Sequence, residues 1–135
     1  MRQSLVPVLA SAMLSLASCQ KETTTPSTAL EGTWRLTSRQ CYCPAGPVPN
    51  EKLIFSGQQV IFYKNGQVAH TGEYAITTAA SACLGSSVPA PALRFTYPPS
   101  NAGPTVAQYT LAGNTLTLDY GGPCDAPVDT YERLQ

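Results

Sequence analysis

Residues 59–77 read QVIFYKNGQVAHTGEYAIT, and this stretch decides the fold. Two runs rich in β-branched and aromatic side chains flank Lys64-Asn65-Gly66-Gln67. Asn-Gly supplies the two positive-φ positions of a tight primed turn, because Asn tolerates the left-handed region and Gly adopts it freely. The stretch therefore reads as a β-hairpin. In its second arm Val68, Gly72, Tyr74 and Ile76 share one face, and Ala69, Thr71, Glu73 and Thr77 share the other.

The same period of two continues on both sides. Strand-like segments fall at roughly 31–40, 51–56, 59–64, 67–77, 92–97, 106–112, 115–120 and 128–134, with no 3.6-residue apolar stripe among them. Ala112-Gly113-Asn114-Thr115 marks a second tight hairpin, and Ser56-Gly57-Gln58 a third, looser one. Trp34 and Leu36 oppose Thr33, Arg35 and Thr37; Leu93, Phe95 and Tyr97 oppose Arg94 and Thr96; Leu116, Leu118 and Tyr120 oppose Thr115, Thr117 and Asp119. One apolar and one wettable face per strand is what an antiparallel sheet around a single core requires. The run 59–64 is apolar on both faces and leaves its orientation open. Such strands close into an up-and-down barrel or fold into a sandwich.

Composition narrows the function. The 135 residues are 43% hydrophobic and 12% charged, with zero formal net charge. Without clustered Lys and Arg, nucleic acid is excluded as a partner. Arg2 followed by the apolar Leu5–Leu16 stretch reads as an export signal over residues 1–18, too short to span a bilayer. Two cleavage sites compete: the small-x-small Ala10-Ser11-Ala12, and Leu16-Ala17-Ser18-Cys19, which resembles the bacterial lipobox. Five cysteines are an odd number for an exported chain, and lipidating Cys19 leaves an even four. The expectation is a lipoprotein, with acyl chains on Cys19 holding it to a membrane. Residues 19–29 then form a polar tether, and 30–135 a single domain. By resemblance to lipoprotein sorting rules, Gln20 after the cysteine implies an outer-membrane anchor in the cell envelope.

Leu30-Glu31-Gly32-Thr33-Trp34-Arg35-Leu36 carries a Gly-x-Trp signature. The stretch resembles the opening of the lipocalin-like, calycin-type domains of small bacterial lipoproteins. Residues 114–120 and 129–134 are similar to the ends of those domains, so the resemblance covers residues 30–135. It implies an all-β, antiparallel up-and-down barrel of eight strands. It also implies that Trp34 plugs the base, with Arg133 lying across its ring. The chain is shorter than full-length lipocalins and lacks a C-terminal helix before its last strand.

Exported thiols default to disulfides. Two bridges are expected, in which Cys41 and Cys43 separately take Cys83 and Cys124. Zinc is disfavoured because Cys-Tyr-Cys lacks the usual ligand spacing. His70, the only histidine, has no catalytic motif to partner it and reads as a core or rim residue. Asp119, Asp125 and Asp129 flank the Gly121-Gly122-Pro123-Cys124 turn and suit Asx-turn duty. No paired carboxylate, cofactor motif or metal cluster is evident, so the reading is non-enzymatic and without a cofactor. Tyr74, Tyr97, Tyr109, Tyr120 and Tyr131 take the interior parity. With Phe95 and His70, the first four are the candidate lining for a small hydrophobic or amphipathic ligand. Rival readings are a protein-interaction or inhibitor module using the Pro-rich loops 43–49 and 88–91, and a passive structural lipoprotein.

Overall fold

The computed structural model describes residues 25–81, 88–99 and 103–135; the expected signal segment, Cys19 and Cys83 lie outside these residues. After a helical turn α1 (Pro26–Leu30) come eight strands: β1 (Gly32–Gln40), β2 (Glu51–Ser56), β3 (Gln59–Lys64), β4 (Gln67–Ala79), β5 (Ala90–Thr96), β6 (Thr105–Ala112), β7 (Thr115–Asp119) and β8 (Val128–Leu134). Every neighbour in sequence is an antiparallel neighbour in space, and β1 pairs with β8 to close the barrel. Closure removes the unpaired edges that an open sheet would expose.

Local chemistry sets the corners. Asn65 and Gly66 both take positive φ, 53° and 78°, between the paired Lys64 and Gln67. Gly57-Gln58 forms an equally short turn between Ser56 and Gln59, tighter than the loose hairpin expected there. At Gly113-Asn114 only the glycine has positive φ (59°), so this turn departs from the Asn-Gly pattern.

The lower half of the barrel is solid. Trp34, Leu53, Phe55, Val60, Leu93, Phe95, Leu116 and Leu118 interlock with Leu30, which α1 delivers to the base. Leu36 and Leu118 are buried, at 4% and 0% exposure. Val60 resolves the ambiguous third strand by pointing inward. The Arg133 guanidinium carbon lies 4.2 Å from the Trp34 ring centroid, which makes the cation–π pair that the resemblance implied. Arg133 also donates to the carbonyls of Glu31 and Ala29, and Trp34 Nε1 donates to the Leu30 carbonyl at 2.8 Å. These bonds consume the free carbonyls of α1, which is why a five-residue turn holds its shape. The turn α1, which lies inside the stretch read as tether, is thus part of the barrel base. Gly32, at φ 123°, fits beneath Arg133, where a side chain would crowd the guanidinium.

Three sequence-based expectations need correction. Val68 is 54% exposed because Ala69 bulges: Phe62 pairs with His70 but Tyr63 pairs with Val68, so the faces switch there. Ile76 keeps the inner parity but is 39% exposed, because β4 runs past the end of β3, which pairs no further than Glu73. The disulfide pattern also differs. Cys41 bonds to Cys43, with Cα atoms 5.2 Å apart, rather than to a distant partner. β1 stops at Gln40 and the chain bends through Tyr42 and Cys43, so the two thiols never project from one extended strand. This is the one cysteine–cysteine bridge among the described residues, where two were expected; Cys124 is not a free thiol.

Candidate functional site

The upper half of the barrel is hollow. An open cavity of about 640 Å³ is walled by Phe62, His70, Tyr97, Tyr120 and Tyr131, floored by Arg39, Glu51 and Asp129, and rimmed by Cys41, Cys43, Pro49 and Pro127. Its volume lies within the range of small-molecule sites. Each lining residue comes from a strand's upper half or a connection at that end, opposite the Trp34 base.

Strand irregularities place the charged floor. Leu36 pairs with Tyr131 and Ser38 with Thr130, so Thr37 is an extra residue in β1. This bulge shifts the inward parity from even to odd numbers and turns Arg39 into the barrel. Glu51 shares the inward parity of Leu53 and Phe55, and Asp129 that of Tyr131. Arg39 Nε and Nη2 donate to the two oxygens of Asp129, both at 2.7 Å, a bidentate grip. Arg39 Nη2 also reaches Glu51 Oε2 at 2.7 Å, and Nη1 reaches Oε1 at 3.3 Å. The carboxylates are 3% and 2% exposed. Burying two carboxylates would cost several kcal/mol each without such a partner. The Asp129 hydrogen bond, then Glu51, pushes the Arg39 guanidinium above its ordinary value while burial opposes the rise. Arg39 stays charged throughout.

These contacts correct two sequence-based readings. Asp129 does not serve the turn, whereas Asp119 does: its Oδ1 accepts from the backbone N–H groups of Gly121 and Gly122, both at 2.8 Å. A carboxylate pair, Glu51 and Asp129, does exist, held apart in the sequence and joined only through Arg39.

The walls form a continuous aromatic column. Phe62 stacks on His70 (5.9 Å between centroids), His70 meets Tyr97 at a tilt of 41° (5.3 Å), and Tyr97 stacks on Phe95 (6.2 Å, 4° between planes). Phe55 and Tyr74 continue it into the closed end. Gly72 makes room at its centre, because a Cβ there would strike the Thr96 carbonyl and the Tyr97 ring. Burial raises the Tyr97 phenol to about 12. Tyr120 and Tyr131 are pushed up as well, first by burial and then by neighbours that include the Asp129 carboxylate.

Of the six residues expected to line a ligand site, His70, Tyr97 and Tyr120 meet at the cavity. Tyr74 and Phe95 are buried in the core beneath it, and Tyr109 packs against that core. The Tyr74 hydroxyl has no hydrogen-bond partner, and burial raises its pKa. Arg39, Glu51, Phe62 and Asp129 were missing from the expected lining. The inward parity of β2 could have found Glu51; nothing in the sequence announces the Thr37 bulge that turns Arg39 inward.

Comparison of the chain with protein-family models, curated proteins and solved structures found no match. The residues themselves therefore carry the functional argument.

Proposed function

We propose that this chain is a lipocalin-like lipoprotein, tethered through Cys19 to the cell envelope, that binds a small hydrophobic or amphipathic molecule without transforming it. The single observation that carries the binding reading is the open, aromatic-walled cavity above a closed barrel base. A barrel of eight strands has just enough interior for one such ligand or for side chains alone. In this chain side chains fill the lower half and leave an open volume in the upper half. The envelope location rests on the signal-like segment and on Cys19.

Native mass spectrometry of the full chain extracted from its own membranes tests the proposal. The expected spectrum shows, beyond acyl chains, an added mass of one small organic molecule that gentle activation removes. A bare protein in every preparation refutes ligand carriage.

The interaction-module reading has its own support at the same end. Tyr42 is 91% exposed at the tip of the Cys41–Cys43 loop, and Val48 is 49% exposed on the Pro-rich segment that follows. A rigid loop carrying an exposed aromatic suits protein recognition, since little conformational freedom is lost on binding.

A further inference from the structure

The cavity also dictates the charge of its occupant. Resting on the binding reading above, we infer that the ligand is a small organic cation: an amine or quaternary ammonium on an apolar, aromatic body.

The floor carries one guanidinium and two carboxylates, a net formal charge of minus one. Arg39 is spent on them. Its Nε, Nη1 and Nη2 all donate to Glu51 or Asp129. Arg39 is the one permanently charged cation among the lining residues, with four of its five N–H groups already donated, so an incoming carboxylate or phosphate would have to compete with two acids for it. It would instead meet two buried acids across a low-dielectric gap, where like charges repel strongly. An ammonium meets the opposite field.

The walls point to the same sign. Phe62, Tyr97, Tyr120 and Tyr131 surround the space with aromatic rings, whose π-systems attract a cation seated over them and offer an anion no such partner. Among the described residues, no hydrogen bond reaches the phenol oxygens of Tyr97 or Tyr120, which leaves both as acceptors for a ligand N–H. The aromatic body of the ligand is chosen by the neighbouring rings of Phe62, His70 and Tyr97. The charge of the floor and the aromatic rings of the walls favour the same sign of ligand.

Isothermal titration of the purified full chain at neutral pH with three probes of one shape decides the matter. The probes are 1-naphthylmethylammonium, 1-naphthalenemethanol and 1-naphthylacetate. The ammonium is expected to bind at least tenfold more tightly than the alcohol, about 1.4 kcal/mol, and the carboxylate more weakly than either. Equal affinities, or a preference for the carboxylate, overturn the cation assignment while leaving the binding reading intact. Failure of all three to bind overturns both. In folded Glu51→Gln, which neutralises the floor, the ammonium's advantage should fall below threefold, and an undiminished advantage refutes the role of the floor. If that variant does not fold, the wild-type comparison alone still decides.

Discussion

Removing Arg39 should convert the cavity floor from a satisfied triad into two stranded acids. In Arg39→Met, four N–H donations to Glu51 and Asp129 disappear while both carboxylates keep their buried positions. Breaking one partner out of a buried ion pair costs about 3–5 kcal/mol. The Arg39 side chain is 25% exposed to the cavity, so water softens the loss and about 3 kcal/mol, the lower end, applies. For a domain whose total stability is about 5–15 kcal/mol, that is a large fraction. The loss should also depend on pH. Without the guanidinium, burial disfavours the charged form of both acids in the folded state, so the folded form binds more protons than the unfolded one. Stability of the variant then falls as pH rises through and above the ordinary carboxyl range. Urea unfolding of wild type and variant at pH 4.5 and pH 7.5 measures this directly. A deficit under about 1 kcal/mol at pH 7.5, or one of the same size at both pH values, would show that the triad is not the buried charge network described. The triple variant Arg39→Met/Glu51→Leu/Asp129→Leu should recover much of the stability, since apolar replacement of a buried network is often neutral or better.

Three further outcomes follow from named contacts. Arg133→Met loses the cation–π contact with Trp34 and the donations to Ala29 and Glu31, a cost of about 1–3 kcal/mol by denaturant melt. Hydrogen exchange at Ala29 and Glu31, whose backbone N–H groups bond within the turn, should quicken in the same variant more than exchange in β6. Gly72→Ala must push its new methyl against the Thr96 carbonyl and the Tyr97 ring, for about 1–3 kcal/mol by thermal unfolding and a weaker affinity for any cavity probe. Finally, Tyr97 should ionise near pH 12 in a phenolate absorbance titration, and its loss in Tyr97→Phe should remove that late step. Because its folded pKa is raised above the unfolded value of about 10, wild-type stability is expected to decline as pH climbs from 10 towards 12.

Much of this architecture is legible from alternation and turn chemistry alone. Asn65-Gly66, Gly57-Gln58 and Gly113-Asn114 mark three corners, and the even spacing of apolar residues from Trp34 to Leu36 or Leu116 to Leu118 marks the core face. Closure of β1 against β8 does not follow from eight short antiparallel strands, which also fit a sandwich; the resemblance implied it. Bulges are what alternation cannot show. One extra residue at Thr37 reverses the face of Arg39, and another at Ala69 reverses Val68 relative to His70, yet neither carries a sequence flag. The site depends on the first of these, so its charged floor stays hidden, while Tyr97 and Tyr120, one residue past the regular strands β5 and β7, keep the strands' parity and do not. The Cys41–Cys43 bond is hidden for a related reason: the bend after Gln40 that brings two thiols so close in sequence together has no alternation to announce it. The helical turn at Pro26 is too short for any periodic signal.

Position on the barrel has a directional consequence. The polypeptide enters beside Trp34, at the sealed pole, and every group able to greet a guest sits at the opposite pole. A cup held by its foot presents its rim to whatever lies farthest from the hand. The mouth of the basin, with Tyr42 beside it, therefore opens at the pole away from the one where Pro26 meets the barrel.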